Sequence, residues 1–346
     1  MSRRDLIEIA ATAAAVLIAA ICHFAGLGAV LTFLVAAAAL ALLARTVGAA
    51  TEQLGAQLGS GGASVVQSAL GNLPELFIAL FALHKGLVEV VQAALVGSIL
   101  ANSVLVLGLA FVVGGLKNGP QQFDSSRARL VSTLAVLAAA TMAIPSLAHE
   151  FHAPAAAHGE ALSLVCAVVL LILFVITLPT FLRSSPSEEH APARWSRRTT
   201  ALTLAGAGTA AALTSDWFVN ALTPAIHTLH MSEEFAGLVI VAIAGNAVEN
   251  VVGVQLAARN KADFAVAVIV NSSLQIALAL TPVLVIASLL FATHLTLVFP
   301  TLLAFVLLLA GIIGALVVND GESQWEEGAV LIGFYVVIAA SFWWGT

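Results

Sequence analysis

The sequence predicts an all-α polytopic membrane protein of eleven transmembrane helices, arranged as two inverted five-helix repeats plus one extra N-terminal helix. Three observations carry that reading. Of the 346 residues, 60% are hydrophobic and only 9% are charged, where soluble chains average about 45–50% and about 25%. Apolar stretches long enough to cross a bilayer recur along the whole chain. The same polar motif, Gly-Asn-x-x-Glu, lies deep inside two of them, at Gly71–Glu75 and Gly245–Glu249.

In chain order the apolar segments fall at 6–23, 27–46, 63–84, 87–113, 129–147, 160–182, 199–220, 235–258, 264–290, 293–318 and 327–345. Arg3 and Arg4 before the first resemble the start of a secretory leader. No convincing cleavage site follows and another span comes directly after, so this segment counts as a helix. The connections are too short to hold a soluble domain. Eleven spans with a cytoplasmic N-terminus place twelve of the 13 Lys and Arg residues inside and only Lys85 outside, a strong positive-inside bias. The short loops point to a prokaryotic plasma (inner) membrane.

The most polar stretch, 183–198, carries Pro186 and Pro192 and reads as a cytoplasmic linker. The organisation is then 1–25 extra helix, 26–182 first repeat, 183–198 linker and 199–346 second repeat. The motif glutamates stand 174 residues apart, and at the same offset Lys85 meets Arg259, Glu89 meets Asp263, Ser98 meets Ser272 and Leu100 meets Leu274. Five spans per repeat is an odd number, so the copies insert in opposite orientations. Inverted repeats are a transporter architecture that binds substrate near the midplane. Lys85, as the partner of Arg259, falls on the opposite side for the same reason.

A carboxylate inside a membrane segment is costly and usually functional. No basic residue lies mid-segment to neutralise Glu75 or Glu249. Gly71 and Asn72 are poor helix formers and Pro74 suits the first position of a restarting helix. Glu75 then sits in the first turn, where the helix dipole favours an acid, and carbonyls freed by the break can face a cation. Gly245-Asn246 predicts the same break without a proline. Ser98 and Asn102 share a helix face, as do Asn271 and Gln275 with Ser272 beside them. Glu75, Glu249, Asn72, Asn246, Ser98, Asn102, Ser272 and Gln275 form the candidate metal-ligand set. Such an oxygen-only set suits Ca²⁺, and the absence of cysteine from the motifs disfavours soft metals. For the two asparagines, repair of the helix break is the alternative role; for the serines, Asn102 and Gln275 it is interhelical hydrogen bonding.

Other features point less sharply. Cys22 and Cys166 sit in separate segments as small core residues, with no disulfide framework. Asp216 lines a vestibule or forms a solvated cap. His149, His152 and His158 share one external loop, read as solvated. Asp320, Glu322, Glu326 and Glu327 attract cations or start a helix. Nothing suggests nucleic acid or a bound cofactor; the bilayer is the expected environment, and the sequence carries no signal of oligomeric state.

These residues resemble the Ca²⁺/H⁺ exchangers (cation/proton exchangers) of the cation/Ca²⁺ exchanger superfamily. The first signature is similar at Glu52–Gly55, Gly71–Glu75 and Gly97–Gly108. The second is similar at Gly245–Glu249, Ser272–Leu278 and Pro282, with a family-like ending at Asp320–Gly328. The resemblance implies that Glu75 and Glu249 carry both cation and protons, with Asn72 and Asn246 close by. The chain departs from the pattern at Asn250, where His is usual, and at Asn271, where Gly is usual. It also lacks the long acidic stretch that many members carry between the halves.

The expected function is a secondary antiporter, not an enzyme, exporting Ca²⁺ against entering protons. One divalent cation or two protons neutralise the glutamate pair, and the neutralised states cross between inward- and outward-facing forms. The nearest rival keeps the fold and exchanges Na⁺ or K⁺ for protons, or is driven by Na⁺. An intramembrane hydrolase lacks a Ser/His or HExxH arrangement, and a channel would conduct without protons.

Overall fold

The computed structural model describes residues 1–58, 70–184 and 193–344. Among the described residues there are twelve helices. They are α1 (Arg3–Phe24), α2 (Ala29–Leu58), α3 (Leu73–His84), α4 (Val88–Asn118), α5 (Ser125–Glu150), α6 (Gly159–Ser184) and α7 (Arg197–Leu229). After them come α8 (Glu233–Gly245), α9 (Ala247–Ala258), α10 (Ala262–Ser288), α11 (Thr301–Val317) and α12 (Trp325–Ser341). A short antiparallel ladder pairs Gln121 with Ser323 and Gln122 with Glu322.

Among the described residues, helix occupies at least part of every predicted apolar segment, and the all-α membrane architecture is plain. By length and apolarity six helices can cross a bilayer, or seven if the bent pair α8–α9 is one span. The predicted eleven exceed this because several segments are interrupted or short. The described part of the third begins with residue 70, and 59–69 lie outside the described residues. α8 and α9 meet at 64°. α11 and α12 have 17 residues each.

The tenth segment differs from expectation. Helix was predicted over 293–318 but starts only at Thr301, after Pro300. The preceding stretch is irregular and non-helical, and it buries Leu295, Leu297 and Phe299. Non-helical backbone at this depth must find partners within the protein. The N–H groups of Leu295, Leu297 and Phe299 donate to Ser288, Ser163 and Ser146 Oγ at 2.8, 2.9 and 2.8 Å. Gln92 Nε2 donates to the carbonyls of Thr296 and Val298 at 2.8 and 3.1 Å. Side chains from three helices and Gln92 thus replace the missing ladder.

The chain divides into two compact units. The first comprises Met1–Ala82, Leu178–Met231 and Ala244–Val248. Its core is α2 against α7, with Phe33 stacked on Phe218 at 4.9 Å between centroids. The end of the predicted linker is pinned here: Trp195 is buried, and its indole donates to Asp5 Oδ2 at 3.0 Å. The Trp195 amide donates to Gln53 Oε1 at 3.2 Å. Residues 185–192 of that linker lie outside the described residues.

The second unit comprises Leu83–Thr177, Ser232–Ile243 and Glu249–Thr346. Its innermost helices are α4 and α10, buried over 78% and 72% of their apolar windows, against 22% for the α6 segment. Exposed Val175 and Ile176 on α6 suit contact with lipid. Helices in lipid associate through close packing rather than apolar burial, so small residues mark the crossings. A Cβ on Gly97 would run into the Leu238 backbone, and one on Gly237 into Val90 O and Ala93. These glycines let α8 lie directly on α4.

Both α4 and α10 contain a π-helical stretch, Ala101–Val106 and Ile276–Leu280, and α8 contains a third at Ala236–Val241. The sequence reading had no signal for these. π-Bulges interrupt the normal ladder and are common at functional sites.

Candidate functional site

In the first unit the chain breaks before α3. The Asn72 carbonyl accepts the first helical bond, from Leu76 N at 2.9 Å, so Asn72 stands at the N-cap. Pro74 is therefore the second helical residue, one later than predicted, still where no amide donor is required. The Asn72 carbonyl is engaged by the new helix rather than freed by the break. Glu75 follows as the third residue and is 3% exposed.

The second motif comes to the first at this point. Asn246, fully buried, donates its side-chain amide to Glu75 Oε1 at 3.4 Å. Gly245 lies so close that a Cβ there would stand 3.2 Å from Glu75 Cβ. The break at Asn246 exists without a proline, as predicted. Here Asn246 acts as a hydrogen-bond donor to the carboxylate, and turning the amide over would present its oxygen instead.

In the second unit Glu249 is the third residue of α9, half-buried and again in the first turn of a helix. Ser98 and Asn102 are fully buried on α4, and Ser272 is buried on α10. Asn102 Nδ2 donates to Ser272 Oγ at 3.0 Å, joining two candidate ligands 170 residues apart. Gln275 is half-buried and ends the α-helical part of α10, immediately before its π stretch.

Three buried amide oxygens in this unit have no hydrogen-bond partner among the described residues: Asn102, Asn250 and Asn271 Oδ1. Asn250 and Asn271 were noted in the sequence only as departures from a family pattern. Their oxygens enlarge the inventory of hard, neutral donors in this unit. An unsatisfied buried acceptor costs about 1–3 kcal/mol, which a cation or water would relieve.

The secondary features resolve into ordinary local roles. Asp216 Oδ2 accepts from Asn220 at 3.0 Å, one turn along α7. Glu327 caps α12 by accepting from Gln324 N at 3.0 Å, and Asp320 accepts from Glu322 N at 3.1 Å. His149, His152 and His158 are exposed. Among the described residues no group of three His, Cys, Asp or Glu side chains could hold a metal. A cation site here would therefore be built from isolated carboxylates supplemented by amide and hydroxyl oxygens.

Comparison with known proteins gives concordant results. The family described as sodium/calcium exchanger protein matches residues 28–183 and 199–344. The chain is 36% identical to the Ca²⁺/H⁺ antiporter ChaA of Bacillus subtilis over 313 residues, covering 87% of this chain and 88% of that one. It is 30% identical over 347 residues to a Ca²⁺/H⁺ antiporter of Synechocystis, covering 92% of each. The structure of native YfkE superimposes with a TM-score of 0.84 at 33% identity, covering 97% of this chain and 99% of that one. The H⁺/Ca²⁺ exchanger CAX shares the fold at a TM-score of 0.80 and 16% identity, covering 98% and 92%. The chain belongs to the sodium/calcium exchanger family.

Proposed function

We propose that this integral membrane protein is a secondary antiporter that exports Ca²⁺ from the cytoplasm in exchange for H⁺ by alternating access. The observation that carries the reading is the junction of the two motifs, with Asn246 donating to the buried Glu75. A duplicated acidic motif whose copies meet at a buried carboxylate is a transport element, not a structural ion pair. Relatives named Ca²⁺/H⁺ antiporters, 36% and 30% identical over most of the chain, support the choice of ions.

Glu75 and Glu249 serve both substrates. A divalent cation or two protons remove the net charge of the pair, and the charged, empty state is penalised in the membrane. Exchange follows because only the neutralised states reorient. Asn72, Ser98, Asn102, Asn246, Ser272 and Gln275 supply neutral oxygens that complete the 6–8 ligands Ca²⁺ accepts. The protein carries no resident cofactor and catalyses no covalent step. The N-terminus is cytoplasmic, 26–182 and 199–346 are inverted repeats in an eleven-span chain, and the membrane is a prokaryotic plasma membrane. The separate family matches either side of 184–198 support the repeat boundaries.

A second reading keeps the fold and carries Na⁺ or K⁺. The partnerless oxygens of Asn250 and Asn271 favour it, since they add ligands without adding charge.

Purified protein in liposomes with an imposed pH gradient, offered Ca²⁺, Mn²⁺, Na⁺ and K⁺ in turn, tests both readings. Ca²⁺ movement that ceases when a protonophore collapses the gradient is expected. Proton-dependent Na⁺ or K⁺ movement in place of Ca²⁺ selects the second reading. Ca²⁺ flux indifferent to the proton gradient would mean a conductance and overturn both.

A further inference from the structure

Within the second unit, serines from three helices line one cavity. Ser103, in the π stretch of α4, and Ser273, on α10, are hydrogen-bonded Oγ to Oγ at 3.1 Å. Both are buried, and each directly follows a member of the Asn102–Ser272 pair. Ser132, on α5, is 3% exposed, and its Oγ has no hydrogen-bond partner among the described residues. All three line one cavity of about 10 Å³.

The surroundings keep that space open. Gly311, Gly314 and Ala315 of α11 and Ala135 and Ala277 of neighbouring helices complete the wall. A Cβ on Gly314 would stand 3.3 Å from Ser103 Cβ, so a larger residue there would close the cavity. At the 174-residue offset of the duplication, Ser103 corresponds to Ala277 and Ser273 to Ile99, and all four line this cavity. It therefore lies where equivalent positions of the two repeats face each other, with a serine contributed by each and the third from α5.

Room for one water requires about 10–15 Å³ and two to four polar partners. The cavity meets the lower bound and supplies three hydroxyls. A sodium ion is less well served, because no Asp, Glu, Asn or Gln is among the described residues that line the wall. We propose that Ser103, Ser132 and Ser273 hold a single structural water, which ties α5 to α4 and α10 and positions the Asn102–Ser272 pair. This rests on the reading of Asn102 and Ser272 as cation ligands. Ser132 is then a positioning residue: its hydroxyl reaches the ligand pair only through the water and the serines beside it.

The full-length wild-type protein, crystallised at a resolution that shows ordered water, is expected to carry one density peak within hydrogen-bond distance of all three Oγ atoms. Ser132→Val puts a methyl where the hydroxyl was, and should displace the water by removing one of its three hydrogen-bond partners, whereas threonine has the same shape and keeps that partner. In liposomes the Ser132→Val variant should weaken the apparent Ca²⁺ affinity about tenfold, the low end for outer-shell partners, with the maximal exchange rate little changed. Ser132→Thr, which keeps the hydroxyl, should restore affinity to within about twofold of wild type on the same reasoning. Thermal melting of each variant in detergent separates these effects from misfolding.

A cavity without density in a structure that resolves other buried waters would overturn the hydration site, whatever ion the protein carries. Density present but unchanged affinity in a well-folded Ser132→Val protein would overturn the positioning role. Loss of transport for every cation in the wild type would count against the antiporter reading and leave the crystallographic result standing by itself.

Discussion

The side-chain amide of Asn246 donates to Glu75 Oε1 at 3.4 Å across 171 residues of sequence. At that length the bond is weak, and its value lies in what it places beside the carboxylate. The second motif contributes a reversible polar group to the acid of the first, and Gly245 supplies the clearance that lets it approach. The amide donates to the carboxylate here, and the same side chain would offer an oxygen if the amide turned.

Replacing either acid tests the shared-carboxylate mechanism most directly. Glu75→Gln and Glu249→Gln should each reduce Ca²⁺-driven proton flux to background, because an amide neither balances the cation nor releases a proton. Asn246→Ala should be milder, raising the apparent Ca²⁺ dissociation constant about tenfold, as expected for a polar partner of a ligand. Flux in proteoliposomes is the measurement, and near-normal exchange in a Gln variant would remove that glutamate from the mechanism.

Proton and cation should compete at equilibrium. On the proposed mechanism Ca²⁺ binds the deprotonated glutamates and must displace any bound protons, so its apparent dissociation constant should rise as pH falls. Well above the range in which the pair titrates, the dependence flattens. Below it the loss steepens toward about tenfold per proton displaced for each pH unit. Calorimetry in detergent, corrected for buffer ionisation, reads this directly. An affinity independent of pH in protein that still transports would require separate sites.

Gly97→Ala should destabilise the α4–α8 crossing, since the new Cβ meets the Leu238 backbone, which cannot yield as a side chain can. Overpacking of this kind costs about 1–3 kcal/mol. Gly206→Ala on α7, where nothing lies within 4 Å, is the control and should be neutral or stabilising by up to ~1 kcal/mol through helix propensity. Thermal melting in detergent distinguishes them; equal melting temperatures would contradict the close crossing.

The charge bias gives a topology that labelling can check. Single cysteines introduced into 183–198 and the Arg259–Lys261 turn should resist an impermeant thiol reagent in intact cells, while cysteines in the His149–His158 loop should react. External labelling of the 183–198 stretch would invalidate the eleven-span assignment.

By itself the sequence determined the all-helical membrane class, the eleven apolar segments, the duplicated motif and the helix break at each copy of that motif. Those properties follow from hydropathy, charge sign and the local geometry of Gly, Asn and Pro, which need few distant contacts. Only the tertiary structure decided that Asn246 reaches Glu75, that Asn102 bonds Ser272, and that the amide oxygens of Asn102, Asn250 and Asn271 lie buried without hydrogen-bond partners among the described residues. It also decided that 293–300 is non-helical. The alternation of Leu295, Leu297 and Phe299 before Pro300 was a legible period-2 signal, but non-helical backbone inside the protein is tenable only if something satisfies it. Ser146, Ser163, Ser288 and Gln92 do so from distant parts of the chain. Polar groups in an apolar interior must find partners wherever the fold brings them, so their destinations depend on packing between segments that local sequence patterns do not specify.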